Sequence, residues 1–336
     1  MRTSCIAVLA ALVVSGLGTP VAAAGVKPPP GFSASYNTAL AQAKKENKPL
    51  YLHFTTDWCG WCRKIEQDVY ANAKGKTALA AFVPVSLDCS DNAPGSKANQ
   101  AVMAKFTDRK AYPYLIIIAP DGAVLKMWSG YVEVDAFTKR LAEAKETFDK
   151  YNEFLEKAQT ADPKDLAFQV EAMDYYLSMQ QWDKAEQAAK KVIELDKDRE
   201  HLGQAKITQL KVAKAKKNAQ AITSLTAEIR KLDPENAKQH LEDALAEQAK
   251  VFMLQATNQT REAQYKKALA VLVERTKLAN LRDPEQTTMD VANLQVDCGK
   301  FKDARITLEK LLMNHPDSPK ASTYKDSIER YKKAGY

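Results

Sequence analysis

Leu50-Tyr51-Leu52-His53-Phe54, followed closely by Trp58-Cys59-Gly60-Trp61-Cys62, decides how this chain reads. The apolar pentad reads as a short buried strand. The two thiols stand three positions apart just beyond it, where a strand passes into a helix, and so read as a dithiol redox pair. A helix opening here places Cys59 at its N-terminus, where unpaired backbone N–H groups and the helix dipole favour a thiolate. Attack on a disulfide requires such a nucleophile. Cys62, one turn later, can close the ring and release a mixed disulfide. The other uses of such a pair are a structural disulfide or half of a zinc site. Zinc would need two more ligands, and no second dithiol pair or nearby histidine cluster supplies them. The four histidines, His53, His201, His240 and His315, are scattered along the sequence.

Outward from this stretch, helices and strands alternate. Tyr36 to Lys45 reads as a helix ended by Glu46-Asn47-Lys48-Pro49, and Leu50 to Phe54 as the first strand. A helix runs from Cys59 to about Tyr70, with a looser stretch and further helix toward Ala81. Phe82 to Leu87 reads as a second buried strand, Asp88 to Gly95 as a polar turn, and Asn99 to Phe106 as a helix with one apolar face. Tyr114 to Ile118 is a strongly apolar strand. Pro120-Asp121-Gly122 signals a turn, and Val124 to Trp128 returns. Gly130 ends that strand, and Val134 to Ala144 begins the last helix. Crossover connections imply a parallel core, while the Asp-Gly turn implies an antiparallel hairpin. A mixed four-stranded sheet with helices on both faces satisfies the pattern.

The chain opens with Met1-Arg2-Thr3-Ser4, an apolar run from Cys5 to Leu17, and small residues ending in Ala22-Ala23-Ala24. This is a secretory leader pattern with cleavage expected after Ala24, and it predicts an exported protein, periplasmic or secreted. No later stretch reads as a membrane span. The formal charge of +7 is spread over helical faces where Lys alternates with Glu and Asp, a solvated surface and not a nucleic-acid footprint. Beyond the leader the cysteines are Cys59, Cys62, Cys89 and Cys298, too few for a disulfide-stapled scaffold. Cys298 reads as a small buried residue of a helix. Cys89 reads either as a reactive or pairing thiol or as a buried strand-end residue. The expected layout is a leader over 1–24, a Pro-rich segment over 25–33 carrying Pro28-Pro29-Pro30, an α/β domain over 34–147 and a helical domain over 148–336.

From Phe148 onward strand signals stop, and helix formers dominate. The segments break at Asp162-Pro163, Asp233-Pro234, Asp283-Pro284 and His315-Pro316. An aromatic followed three positions later by alanine recurs as Trp182 to Ala185 and Phe301 to Ala304, with Tyr265 to Ala268 in a middle copy expected over about Val251 to Leu281. The stretch from His201 to His240 is helical but fits the pattern poorly. The region resembles tetratricopeptide repeats, built of helix pairs about 34 residues long; the alternative is an irregular bundle. It contains no catalytic constellation. Stacked helix pairs offer a surface for a protein partner.

The first domain, over roughly Lys44 to Ala144, resembles the thioredoxin family. The family's tryptophan–cysteine–two residues–cysteine motif falls on Trp58-Cys59-Gly60-Trp61-Cys62, its cis-proline on Pro113 within Ala111-Tyr112-Pro113-Tyr114, and its glycine near the final helix on Gly130. The resemblance implies an α/β thioredoxin-like fold and a cis bond that holds a client polypeptide extended beside the nucleophile. Three positions depart from the family. Trp61 replaces the proline of the Cys-Gly-Pro-Cys form. His53 occupies the place of a buried aspartate that assists proton transfer, work open to an imidazole titrating near neutral pH. Tyr112 stands before Pro113, where smaller or β-branched residues are common, and shapes the groove. Trp58 and Trp61 flank the nucleophile, facing a client peptide or packing on the domain. Arg63 and Lys64 add positive charge that favours the thiolate, with Asp57 opposing it.

The expected activity is thiol–disulfide oxidoreduction on client proteins through Cys59 and Cys62, with Pro113 and His53 assisting. It calls for no cofactor or metal, but for an upstream thiol or electron donor. Two other readings stand beside it: a binding module whose helical repeats recognise a partner while the first domain is a scaffold, and a disulfide isomerase. A phosphate loop, a Gly-x-Ser-x-Gly elbow and a His-Glu-x-x-His helix are all missing from the sequence.

Overall fold

Ser35 starts the first helix, α1 (Tyr36–Glu46), by accepting the Thr38 N–H, and Asn47 ends it in the left-handed conformation. The structure, a computed structural model, describes residues 25–336; the expected leader lies outside them. The chain then enters β1 (Leu50–Thr55), whose six residues are all buried. Strand alternation sends Leu50, Leu52 and Phe54 to one face of the sheet and Tyr51, His53 and Thr55 to the other. On the second face Tyr51 meets Phe32, Tyr70, Trp128 and Phe137, with ring centroids 5.6 to 6.3 Å apart.

Helix α2 (Gly60–Ile65) follows, and at Glu66 it widens into a π turn through Tyr70. Helix α3 (Ala73–Leu79) then packs against that turn so closely that a Cβ on Gly75 would stand 2.0 Å from the Val69 carbonyl oxygen. Only glycine permits this approach. The remaining elements are β2 (Val83–Asp88), α4 (Ser96–Met103), β3 (Tyr114–Ile118), β4 (Val124–Ser129) and α5 (Val134–Thr160).

The sheet runs β2-β1-β3-β4. β1 pairs with β2 in parallel, Thr55 opposite Asp88, and with β3 antiparallel, Phe54 opposite Tyr114. The expected parallel core therefore shrinks to one pair of strands. The reason lies in α4 and the stretch after it. They do not carry the chain back along the sheet, so β3 starts from the end where β1 and β2 finish. The end of β1, the end of β2 and the start of β3 share one rim, and the dithiol loop leaves from it.

By contact density the described chain divides into two units. One ends at Pro120 and resumes over Lys126–Lys145; the other takes Asp121–Leu125 and Glu146–Tyr336. The second unit is all helical beyond α5: α6 (Leu166–Ser178), α7 (Trp182–Leu195), α8 (Leu202–Ala215), α9 (Ala219–Leu232), α10 (His240–Leu254), α11 (Arg261–Arg275), α12 (Pro284–Asp297), α13 (Phe301–Asn314) and α14 (Ala321–Lys333). Successive helices are neighbours, with α6 on α7, α8 on α9, α10 on α11, α12 on α13, and α14 on α13. The middle helix pair opens at His240, not at Val251, because Val251 to Leu254 forms the last turn of α10.

Burial repeats along these helices. The third, seventh and tenth residues after Trp182 are Ala185, Ala189 and Val192; after Phe301 they are Ala304, Leu308 and Leu311; all are buried. The same offsets from Ala219 reach Ile222, Thr226 and Ile229, also buried. The stretch that fits the sequence pattern poorly thus keeps its spacing, with Ala219 in the place of the aromatic and Ile222 in the place of the alanine. The turn after α7 recurs after α9. Asp196 accepts the N–H groups of Glu200 and His201, and Asp233 those of Lys238 and His240. Cys298 does not lie inside a helix; it is the half-buried C-cap of α12, before left-handed Gly299.

Candidate active site

The loop that carries the thiols is tied at both ends. Asp57 N–H donates to Ser90 Oγ at 2.8 Å, anchoring it to the segment after β2. Arg63 Nη1 donates to the Asp57 carbonyl at 2.8 Å, anchoring it to α2. Between these, Cys59 N–H bonds to the Thr56 carbonyl, and Cys59 becomes the N-cap of α2. Its sulfur forms a disulfide with Cys62, S–S 2.01 Å and Cα–Cα 5.3 Å. Cys62 N–H donates to Cys59 Sγ at 3.1 Å. An amide so placed at a helix N-cap is of the kind that favours a thiolate. Both cysteines are nearly enclosed, 3% and 1% exposed.

Across the rim stands the cis peptide Tyr112–Pro113, immediately before β3. The Pro113 carbonyl accepts the Gly130 N–H at 2.9 Å, and Gly130 has the positive φ of 85° that glycine adopts freely. Among the described residues of their unit, the two tryptophans beside the thiols are the most exposed large apolar side chains, Trp58 at 67% and Trp61 at 58%. Each rests on a tyrosine. Trp58 meets Tyr112 edge to face at 5.7 Å, and Trp61 meets Tyr131 tilted at 5.7 Å. Tyr131 is itself held, donating to Asp68 at 3.0 Å beneath the Lys64 ammonium. The structure thus brings together Cys59, Cys62, Trp58, Trp61, Tyr112 and Pro113. Sequence reading overlooked Tyr131, although its place after Gly130 was the available signal.

The surroundings of three further side chains bear on the roles expected of them. His53 lies fully buried behind this rim, its Nδ1 hydrogen-bonded with Ser86 Oγ at 3.3 Å and its ring edge-on to Tyr70 at 5.4 Å. Burial drives its pKa down to about 3. The imidazole is therefore neutral at physiological pH and does not titrate near 7 as a proton relay would. Lys64 does not lend a free charge to the thiolate: it pairs with Asp68 at 2.6 Å, which raises the lysine pKa and lowers the aspartate's. Cys89 lies buried at the end of β2, its N–H on the Thr55 carbonyl. Burial pushes its thiol up to about 11, only partly offset by a hydrogen bond from Tyr112. Such a thiol is protonated and poorly nucleophilic at neutral pH.

No helix among the described residues is long and apolar enough to cross a membrane, and no group of three or more His, Cys, Asp or Glu among them could hold a metal ion.

Comparison with known proteins gives three kinds of result. Residues 36–145 match the thioredoxin-like domain family Thioredoxin_2. No curated protein matches. Among solved structures, the chain is similar to DsbH oxidoreductase, at 25% identity over 38% of this chain and 88% of that one, with a TM-score of 0.31. It is also similar to the oxidised C-terminal domain of DsbD from Neisseria meningitidis, at 21% identity over 32% and 94% of the two chains, TM-score 0.28. A disulphide isomerase from Xylella fastidiosa Temecula1 gives 21% identity over 39% and 99%, TM-score 0.25. The family match, the sheet order and the closed cysteine pair agree. Residues 36–145 form a thioredoxin-like domain, and Cys59 with Cys62 is its thiol–disulfide oxidoreductase site.

Proposed function

We propose that this is an exported enzyme that reduces or exchanges disulfides of client polypeptides, with its helical unit serving as a docking array. The carrying observation is the pair Cys59–Cys62 closed at a helix N-cap, on the rim where cis Pro113 enters the sheet. In the reducing direction the Cys59 thiolate attacks a client disulfide. A bond forms from Cys59 Sγ to one client sulfur, and the other leaves as a thiolate. Cys62, deprotonated, then attacks Cys59 Sγ; the internal disulfide reforms and the second client sulfur departs. Two electrons pass to the client, and an upstream thiol or electron donor returns them. The reverse path oxidises.

Trp58 and Trp61 act as the walls of the client groove and Tyr112 with Pro113 as its floor. Rigid aromatic surfaces bind peptide at low entropic cost. His53 serves as a neutral buried partner of Ser86 behind the thiols. The export assignment rests on the leader pattern ending at Ala24. The recurrence of burial at equal offsets from Trp182, Ala219 and Phe301 supports a tetratricopeptide-like array, which would recognise a protein partner.

The test is the reduction potential of Cys59–Cys62, set by equilibration in glutathione or dithiothreitol buffers. A value near that of thioredoxin, roughly −270 mV, identifies a reductase; one around −120 mV turns the assignment to disulfide formation. A pair that fails to exchange removes the enzymatic reading.

A further inference from the structure

The first described residues are fastened to the rim of the sheet. Val26 N–H donates to Asp88 Oδ2 at 2.6 Å. A Cβ built on Gly25 would stand 3.0 Å from the same oxygen, 3.5 Å from Ala93 Cβ and 3.6 Å from Pro94 Cδ. Gly25 therefore packs beside the carboxylate, and its own nitrogen is one residue before the Val26 amide that donates to it. Asp88, at the end of β2, is only 8% exposed. Its other oxygen, Oδ1, accepts Ser90 N–H at 2.9 Å and Ser90 Oγ–H at 2.5 Å. Ser90 Oγ in turn accepts Asp57 N–H, two residues before Cys59.

Among the described residues, the three hydrogen bonds to this enclosed carboxylate all come from neutral donors. A buried charge is stabilised most by an opposite charge added to such bonds. The sequence supplies one. The leader pattern ends at Ala24, so hydrolysis of the Ala24–Gly25 bond, with water as co-reactant and a peptidase as catalyst, leaves a carboxylate on Ala24 and an α-ammonium on Gly25. We propose that Asp88 is the receptor for that ammonium. Processing installs the new amino terminus as the counter-ion of Asp88 and so fixes the Asp88–Ser90–Asp57 relay that holds the loop of Trp58 and Cys59. The inference rests on the exported reading. A side chain at position 25 would crowd the carboxylate, which the glycine after the expected cleavage point does not.

The test uses two chains, one beginning at Gly25 and one retaining residues 20–24, with Asp88→Asn made in the first. NMR titration reads the α-amino pKa. In the Gly25 chain it should rise by at least about one unit above its ordinary value near 8, and Asp88→Asn should return it there. Exchange of the Asp57 amide should be at least about tenfold slower in the Gly25 chain than in the extended one. An unshifted pKa with equal Asp57 exchange in the two chains overturns the capture, whatever becomes of Asp88→Asn, while leaving export intact. N-terminal sequencing of the exported protein tests the premise separately. A terminus other than Gly25 overturns the proposal through its processing step.

Discussion

The two units bury their residues by the same rule and depart from it differently. In the helical unit the departures are regular. Burial returns at equal offsets in α7, α9 and α13, and an aspartate closes the turn after both α7 and α9. In the sheet unit they gather at one rim: two exposed tryptophans, a cis peptide and a carboxylate that accepts from neutral donors. Repetition spreads small irregularities evenly and leaves no place singled out for chemistry. A sheet whose strands begin and end at one rim concentrates them there, beside a nucleophile.

That contrast predicts what mutations do. Cys62→Ser should abolish turnover and trap Cys59 in a mixed disulfide with a client, visible by mass spectrometry; release of the client at the normal rate would mean another thiol resolves it. The second test falls in the helical unit. Glu242 is buried between Arg275 and Arg282, accepting from Arg275 Nη2 at 3.1 Å and from the Arg282 backbone N–H at 3.1 Å. Glu242→Ala removes the buried carboxylate, leaving Arg275 with Asp290 and Arg282 with Asp243, and should cost about 1–3 kcal/mol in denaturant unfolding. The exchange rate of Cys59–Cys62 should stay unchanged. A matching loss of exchange would break the separation of roles.

Acid probes the sheet unit through His53. Unfolded, this imidazole takes up a proton near pH 6.5; folded, burial holds its pKa at about 3. Between these values the unfolded state binds the extra proton, so stability rises with pH through the window and is lost as pH falls. Each pH unit below about 6 should cost roughly 1.4 kcal/mol, and His53→Gln should flatten the profile by that slope. An unchanged profile would mean that the imidazole is protonated in the fold. The smallest effect expected is that of Trp58→Ala, which should raise KM for a disulfide-bearing peptide about tenfold, about 1.4 kcal/mol, with kcat less affected. An unaltered KM would remove Trp58 from the client groove.

Much of the sheet unit was legible because its signals are local. The apolar runs of β1 and β3 and the turn at Asp121-Gly122 announce themselves within a few residues. Pro113 was legible through family resemblance. What stayed hidden depends on distant partners. Nothing in Glu66-Gln67-Asp68-Val69-Tyr70 marks a π turn; packing of Gly75 on the Val69 carbonyl goes with it. Lys64 looked like a free charge because its partner Asp68 is a neighbour only once a helix forms. His53 looked titratable because sequence shows residue type and not enclosure. In α9 the pattern was missed because Ala219 and Ile222 exchange large for small while keeping the helix spacing.

The placement of Trp58 and Trp61 has an optical consequence. The chain has four tryptophans, and two of them flank the disulfide. A disulfide quenches indole emission at short range, and opening it relieves the quench. Trp128, buried in the sheet unit, and Trp182, at the start of α7, are not adjacent to either cysteine in the sequence and contribute the remaining emission. Oxidation state is thus written into the intrinsic fluorescence of the protein, and its redox titration can be followed in unlabelled material.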